Sequence, residues 1–332
     1  MELVTYFRHS ALGFWWCIIG IAADITVVII FQHSTFQTDN RKMLDLHCHT
    51  TCSDGTLTPK QLVHAAVRAG VYALAITDHD TLAGWDEAIR EAQHFVLKTP
   101  QLDPDAVAQP SNLEIVPGVE LSTVHCDRSL HILGFYPDAD KFTAPLSERL
   151  EGRKRRAKQM VAKLESLGYP ISLPELGEGM APGRPHIANA LVRAGYVKSS
   201  HEAFDRFLGD DQPAYVHYEK FSISEGIALL RQCGAVPVWA HPYLFRGGAV
   251  EDVLKELVDA GLIGIEVYHP SHTPKERKNL EALCDRYGLL RTGGSDYHGP
   301  STDGSPNSSK LNMMHLPLSL LDPIKQAAQR LR

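Results

Sequence analysis

The sequence predicts an α/β fold built on a barrel of mostly parallel strands, and three observations predict it. Short β-like runs alternate with helical segments through most of the chain. Those runs end in polar clusters: His47-Cys48-His49, Asp78-His79-Asp80, Gly118-Val119-Glu120, His241-Pro242, His269-Pro270 and Ser295-Asp296-Tyr297-His298. Polar residues gathered at the C-terminal ends of strands are what a barrel active site looks like. Finally, 332 residues with 44% hydrophobic content are enough to bury a full core in one large domain or two ordinary ones.

The elements follow in order. Leu44–His47 reads as the first barrel strand, with a turn after it at Ser53-Asp54-Gly55-Thr56. Thr58 is then an N-cap and Pro59 the first residue of a helix that carries Leu62, Ala66 and Ala69 and stops near Gly70. Tyr72–Thr77 is the next strand, and a helix covers Trp85 to about Val96. Thr99 to Asn112 is polar and proline-bearing, a surface loop. Further strands are expected over Glu114–Pro117 and Ser129–Phe135, then Val236–Ala240, Ile263–Tyr268 and Leu289–Thr292. Between these two sets lies a helical section, which gives four segments: an N-terminal extension (1–42), a first barrel part (43–140), a small helical insertion or cap (141–217) and a second barrel part (218–332).

The N-terminal extension differs from the rest. Ala11–Phe31 is mostly apolar and long enough for a membrane span, but Asp24 interrupts it, at roughly +2.5–3.5 kcal/mol near a bilayer centre. Met43 stands directly before the first barrel strand, so a translation start there, or a dispensable extension, is the favoured reading. A membrane anchor is the alternative, and it alone would bring a membrane into play. The six cysteines form no CxxC pair, which reads as a reducing compartment and a cytoplasmic location. A formal charge of −6 gives no basic field for duplex DNA.

His47 and His49 carry the chemistry. In a strand, residues i and i+2 point to one face, so both imidazoles reach a single ion while Cys48 points away. A mixed imidazole–carboxylate set suits Mn, Fe or Zn, and residue type alone does not choose among them. Asp78 and Asp80 read as caps or as partners that hold His79, and Asp54 also suits a plain turn.

The segments DLHCHTTCSDGTLTP, AITDHDT, PGVELST, HILGF, WAHP and GGSDYHG, in that order from Met43 to the C-terminus, resemble the PHP (polymerase and histidinol phosphatase) family. The resemblance implies a distorted seven-stranded PHP barrel and three divalent metal ions, Mn²⁺ first, with Fe²⁺, Zn²⁺ or Mg²⁺ as alternatives. It assigns His47, His49, Glu120 and Asp296 to the first metal, with Glu120 bridging to a second held by His131 and His241. Asp54, His79 and His298 would hold the third and are the expected catalytic residues. The insertion around RPHIANALV resembles the branch that dephosphorylates nucleoside 3′,5′-bisphosphates and trims short RNA from its 5′ end.

In the insertion, Leu146 to Gly168 reads as an amphipathic helix, with Leu146, Leu150, Ala157, Met160, Leu164 and Leu167 in 4-3 spacing. Arg153 falls on that inward stripe, and Arg156 lies about 60° from it. An inward arginine needs an anionic partner, either a local carboxylate such as Glu148 or Glu151 or a substrate phosphate. Lys154 and Arg155 point outward. Gly183-Arg184-Pro185-His186 opens a second helix over Ile187–Ala194, whose N-terminus suits an anion, so Arg184 and His186 join the substrate-binding candidates. His269, directly after a strand, is a further one; His272 reads as loop surface. The expected function is a metal-dependent phosphoesterase acting on 3′-phosphoadenosine 5′-phosphate and similar nucleotides, with short single-stranded RNA ends as linked substrates. Histidinol phosphate phosphatase and a non-catalytic regulatory module are the alternatives.

Overall fold

In the computed structural model of the protein, the described residues are 4–9, 15–21, 25–30, 42–98, 113–173, 182–217, 221–300 and 309–332, with the first three segments described as backbone alone. The chain divides into two units, Met1–Asn40 and Arg41–Arg332. In the first, β1 (Val4–His9), β2 (Trp15–Ile21) and β3 (Ile25–Ile30) form a three-stranded antiparallel sheet. Two of these strands lie inside the apolar run that suited a membrane span. The β-branched sequence Ile-Thr-Val-Val-Ile-Ile of β3 favours an extended backbone. The rest of that run lies outside the described residues. No helix among the described residues is long and apolar enough to cross a membrane.

Among the described residues, the second unit holds eight strands: β4 (Met43–Asp45), β5 (Val71–Ile76), β6 (Glu114–His125), β7 (Arg128–Phe135), β8 (Val236–Trp239), β9 (Gly264–Tyr268), β10 (Leu290–Gly293) and the two-residue β11 (Leu316–Pro317). They join one sheet in the order β11-β4-β5-β6-β7-β8-β9-β10. Neighbours are parallel except that β7 runs against β6 and β8, and β11 against β4. Beyond β4 and β10 the two ends meet: Cys48 and Tyr297 form a parallel bridge, and His49 N–H donates to the Tyr297 carbonyl at 2.9 Å. The sheet is thus a nearly closed barrel of seven strands in chain order with β11 added at the seam. The helices around it are α1 (Pro59–Arg68), α2 (Trp85–Lys98), α3 (Ala139–Ser166), α4 (Arg184–Arg193), α5 (Ser200–Ala203), which continues as one π-helical turn over Phe204–Leu208, then α6 (Ile223–Gln232), α7 (Val250–Asp259), α8 (Pro274–Tyr287) and α9 (Leu321–Leu331). The polar stretch 99–112 lies outside the described residues.

The caps explain where helices begin. Thr58 and Gln61 form a reciprocal capping box at α1, and Thr273 and Glu276 do the same at α8. Helix α3 starts earlier than Leu146, because the Asp138 carboxylate accepts from the N–H groups of Asp140 and Lys141 and holds the first turn. Pro145 is accommodated within it. The boundary expected at residue 141 therefore falls inside a helix. Phe142 and Leu146 near its start are buried in the barrel's core. Ala157, Met160 and Leu164 are buried instead with Ile187, Leu191, Phe207 and Leu208 in a separate apolar cluster. One helix thus connects the barrel to the cap's own core.

Candidate metal centre

Nine side chains converge at one rim of the barrel, and strand geometry brings them there. Past β4, His47 and His49 face inward, while Cys48 between them is buried in the outer cluster with Leu62, Val63 and Leu74. The ladder between β5 and β6 extends far enough to set His79 beside Glu120 as a parallel bridge. On β7, His131 pairs with Ser122, two residue pairs along the ladder from Glu120. Asp80, His241 and Asp296 have left-handed backbones, with φ of 52°, 32° and 51°, at a cost of about 1–2 kcal/mol each for non-glycine residues. Three strained backbones at strand ends re-aim site side chains, a placement typical of functional centres. Gly294 is required by close approach, because a Cβ there would lie 2.4 Å from the His47 nitrogen.

Glu120 is the hub. Its Oε1 lies 2.7 Å from His131 Nδ1 and 3.0 Å from His241 Nε2. Its Oε2 lies 3.1, 3.2 and 3.3 Å from His49 Nε2, His47 Nε2 and His79 Nδ1. Asp296 Oδ1 is 3.3 Å from His47 Nε2 and 3.2 Å from His49 Nε2. Asp54 faces His298 Nε2 at 3.3 Å, His49 Nδ1 at 3.5 Å and His79 Nε2 at 3.6 Å. Among the described residues, three groups have one ligand-type atom per residue within 4.8 Å of one another: His47, His49, Glu120 and Asp296; His79, Glu120 and His131; and His49, Asp54, His79 and His298. The first matches the set implied by the resemblance. In the second His79 stands where His241 was expected, with His241 on the same carboxylate oxygen as His131. In the third His49 is added.

These side chains suit cations. Buried polar atoms are nearly always hydrogen-bonded. Yet His49 Nε2, His79 Nδ1 and His131 Nδ1 are buried without a hydrogen-bond partner, although carboxylate oxygens lie close by. Burial opposes charge on Asp54, Glu120 and Asp296, but the surrounding imidazoles outweigh it and hold all three well below the usual carboxylate range. Burial pushes His79 down to about 3, so its imidazole is neutral, the form that binds metal. His49 is lifted to about 10 because the neighbouring carboxylates of Asp296, Glu120 and Asp54 outweigh its burial. There a divalent cation would stand in the proton's place between imidazole and carboxylate.

Supporting residues hold this arrangement, and some differ from expectation. Glu266, which sequence reasoning passed over, is fully buried. Its Oε1 lies 2.9 Å from His47 Nδ1, and its Oε2 accepts from the His241 backbone N–H at 2.8 Å. A lone acid inside the apolar strand β9 was the available signal. Asp78 holds Thr50 and Ser53, at 2.6–2.7 Å, rather than His79. Asp80 accepts from the Ser122 N–H and pairs at 2.8 Å with Arg153. Arg153's carboxylate therefore comes from the barrel; Glu151 pairs with Lys154 instead.

A cavity joins this rim to the cap. Its walls include Asp54, His79, Ser122, His131, Arg153, Arg156, Arg184 and Phe204. Gly183 lies against Arg153 on this wall: a Cβ there would sit 3.0 Å from a guanidinium nitrogen. Arg156 donates through Nε to the Val216 carbonyl at 2.8 Å, and Arg184 pairs with Asp210 at 2.9 Å. His186 is outside the cavity's lining: its Nδ1 accepts from the Gly183 N–H and closes the first turn of α4. His269 is also outside it, 3% exposed; Nδ1 accepts from Ser271 N–H, and Nε2 lies 3.5 Å from Asp296 Oδ2. His272 is buried rather than on the surface, because Nδ1 donates to the Val267 carbonyl and its ring packs on Tyr243 and His269.

Comparison with known proteins agrees with this geometry. The PHP domain model matches residues 45–170. A 5′-3′ exoribonuclease of Haemophilus influenzae is 34% identical over 266 residues, covering 78% of this chain and 91% of the relative. A 3′,5′-nucleoside bisphosphate phosphatase of Chromobacterium violaceum is 31% identical, covering 79% of this chain and 89% of the relative. A solved Bifidobacterium adolescentis protein assigned as a metal-dependent phosphoesterase superposes with a TM-score of 0.73 at 33% identity, covering 86% of this chain and 96% of that one. With its barrel, its histidine–carboxylate rim and these relatives, the chain belongs to the PHP family of metal-dependent phosphoesterases.

Proposed function

We propose that this phosphoesterase removes the 3′-phosphate of nucleoside 3′,5′-bisphosphates, releasing the 5′-mononucleotide, and that the same site trims short 5′-phosphorylated RNA from its 5′ end. The observation that carries the proposal is the cavity in which Asp54, His79 and His131 share walls with Arg153, Arg156 and Arg184. One end suits the phosphate to be cleaved and the other a phosphate to be held.

Three divalent ions are proposed, Mn²⁺ first. His47, His49, Glu120 and Asp296 would hold one, His131 and His241 with Glu120 a second, and Asp54, His79 and His298 a third. When bound, such ions supply Lewis acidity to phosphoryl oxygens and acidify water. The chain's own residues do the rest. Glu120 spaces the five imidazoles around it, and Glu266 fixes His47 so that Nε2 faces the centre. Asp54, His79 and His298 border the face turned to the cavity, where the P–O3′ bond would lie. The arginine forks suit a phosphate's oxygens, and fixing that second phosphate orients the first for in-line attack. His269 orients Asp296 rather than touching substrate. Lengthening the substrate at its 3′ side turns a monoester into a diester without changing either phosphate's place, which links the two activities.

The test is phosphate or nucleotide release by the full-length protein with added Mn²⁺, comparing 3′-phosphoadenosine 5′-phosphate, AMP, histidinol phosphate and a short 5′-phosphorylated RNA. Turnover of the bisphosphate and the RNA, but not of AMP or histidinol phosphate, is expected. Preference for histidinol phosphate overturns the substrate reading and keeps the metal centre. A chelator is expected to abolish all turnover, and divalent ions to restore it.

A further inference from the structure

We propose that Tyr215 is a positioning residue that sets Arg156 and Arg184 for the second phosphate, a role that rests on the reading of the cap given above. The two arginines come from different helices, α3 and α4. Both guanidinium groups meet the same ring: their central carbons lie 5.3 Å (Arg156) and 5.7 Å (Arg184) from the centre of Tyr215. The ring is 9% exposed and packs edge-on with His217 at 5.2 Å.

The backbone carrying Tyr215 is itself pinned. Its carbonyl accepts from Lys163 Nζ at 2.6 Å, and the next carbonyl, of Val216, accepts from Arg156 Nε at 2.8 Å. The Ala214 N–H donates to Phe207, and the Tyr215 N–H to Gln212. The ring is therefore a fixed surface. An aromatic face attracts a guanidinium through its quadrupole and occupies none of the in-plane N–H donors. Held this way, a guanidinium spends none of its N–H donors on the ring and loses less rotamer freedom when an anion arrives. Asp210 and Phe204 add to this for Arg184, at 2.9 Å and 5.6 Å. Tyr215 is the side chain that ties the two arginines to one another, and both line the cavity that reaches Asp54 and His79.

The experiment compares full-length wild type, Tyr215→Phe and Tyr215→Leu, all with Mn²⁺, on 3′-phosphoadenosine 5′-phosphate and on 3′-AMP, which lacks the 5′-phosphate. The readout is the ratio of kcat/KM for the two substrates. Tyr215→Leu is expected to lower that ratio about tenfold, through KM for the bisphosphate, and Tyr215→Phe to restore it, because the ring carries the effect and the hydroxyl does not. A wild type that prefers the bisphosphate, with that preference kept in Tyr215→Leu, overturns this proposal alone. A wild type that treats both substrates alike overturns the reading of the cap and this proposal with it. Equal loss of kcat on both substrates in Tyr215→Leu marks a merely structural ring and overturns the proposal. Should Tyr215→Leu not fold, Tyr215→Met carries the same comparison, with the same outcomes.

Discussion

Replacing Glu266 with glutamine tests how the rim is held. Glu266 lies at 0% exposure and makes two polar contacts across the barrel, at 2.9 Å to His47 Nδ1 and at 2.8 Å to the His241 backbone N–H. Glutamine keeps the shape but has one acceptor oxygen and one NH₂, so one of the two donors must face a donor. A buried hydrogen bond to a charged group is worth about 1.5–3 kcal/mol, and a buried donor left without an acceptor costs a similar amount. His47 then loses either its orientation or the carboxylate that makes it a better ligand. Losing such a support costs about 10–100-fold in metal affinity. The assay is competition for Mn²⁺ against a fluorescent chelator, with turnover followed as Mn²⁺ is raised. The variant should need 10–100 times more Mn²⁺ for half-maximal turnover and approach wild-type kcat when saturated. Affinity within twofold of wild type would refute the reasoning, because Glu266 would then be only a satisfied core acid.

Three further perturbations probe other links. Arg153→Ala is expected to lower kcat/KM for the bisphosphate at least tenfold more than for a simple monophosphate; equal losses would sink the cap's part in specificity. Leu164→Ala removes a fully buried side chain from the cap's own core and should cost about 2–5 kcal/mol there. Limited proteolysis should then cut the cap first, with the barrel still folded, and a single unchanged melting transition would contradict two separate cores. Gly294→Ala forces a Cβ to within 2.4 Å of the His47 backbone nitrogen, so the seam between β4 and β10 must spread. Metal stoichiometry measured by elemental analysis should fall below wild type, and a full complement would show that the seam yields without disturbing His47.

Much of the barrel was legible because its signals are local. Thr58-Pro59 marks a helix start by capping chemistry, and His47-Cys48-His49 shows two inward imidazoles by strand alternation. What escaped depends on pairing between distant residues. Arg153 was visible as an inward charge needing an anion, but its partner Asp80 is 73 residues away. Glu266 sits in a strand whose other residues are buried or half-buried and apolar, and its contacts with His47, 219 residues away, and His241, 25 away, give it meaning. Helix α3 was read two turns short because the apolar 4-3 spacing begins at Leu146, whereas the Asp138 cap starts the helix at Ala139. His272 looked like loop surface because its carbonyl partner, Val267, belongs to the strand before it and covers the ring only once the turn folds back.

The pairing of the cap arginines bears on how the proposed enzyme would choose among anions. Arg153 and Arg184 each already face a carboxylate, Asp80 and Asp210. An entering phosphate therefore gains only the difference between its own contacts and the ones it shares or displaces. A weak anion gains little from that exchange, while a phosphate dianion, with three acceptor oxygens and about twice the charge of a carboxylate, gains more. The same pairing keeps two arginine charges from lying buried and uncompensated when no substrate is bound, a state that would destabilise the cap. It also couples the two ends of the cavity. Asp80 follows His79 directly and has a left-handed backbone, so the partner of Arg153 is set by the same strand end that aims a proposed metal ligand. Recognition of the held phosphate and placement of the cleaved one would then depend on one short segment, Asp78-His79-Asp80, whose three side chains face the His49–Asp54 loop, the rim and the cap in turn.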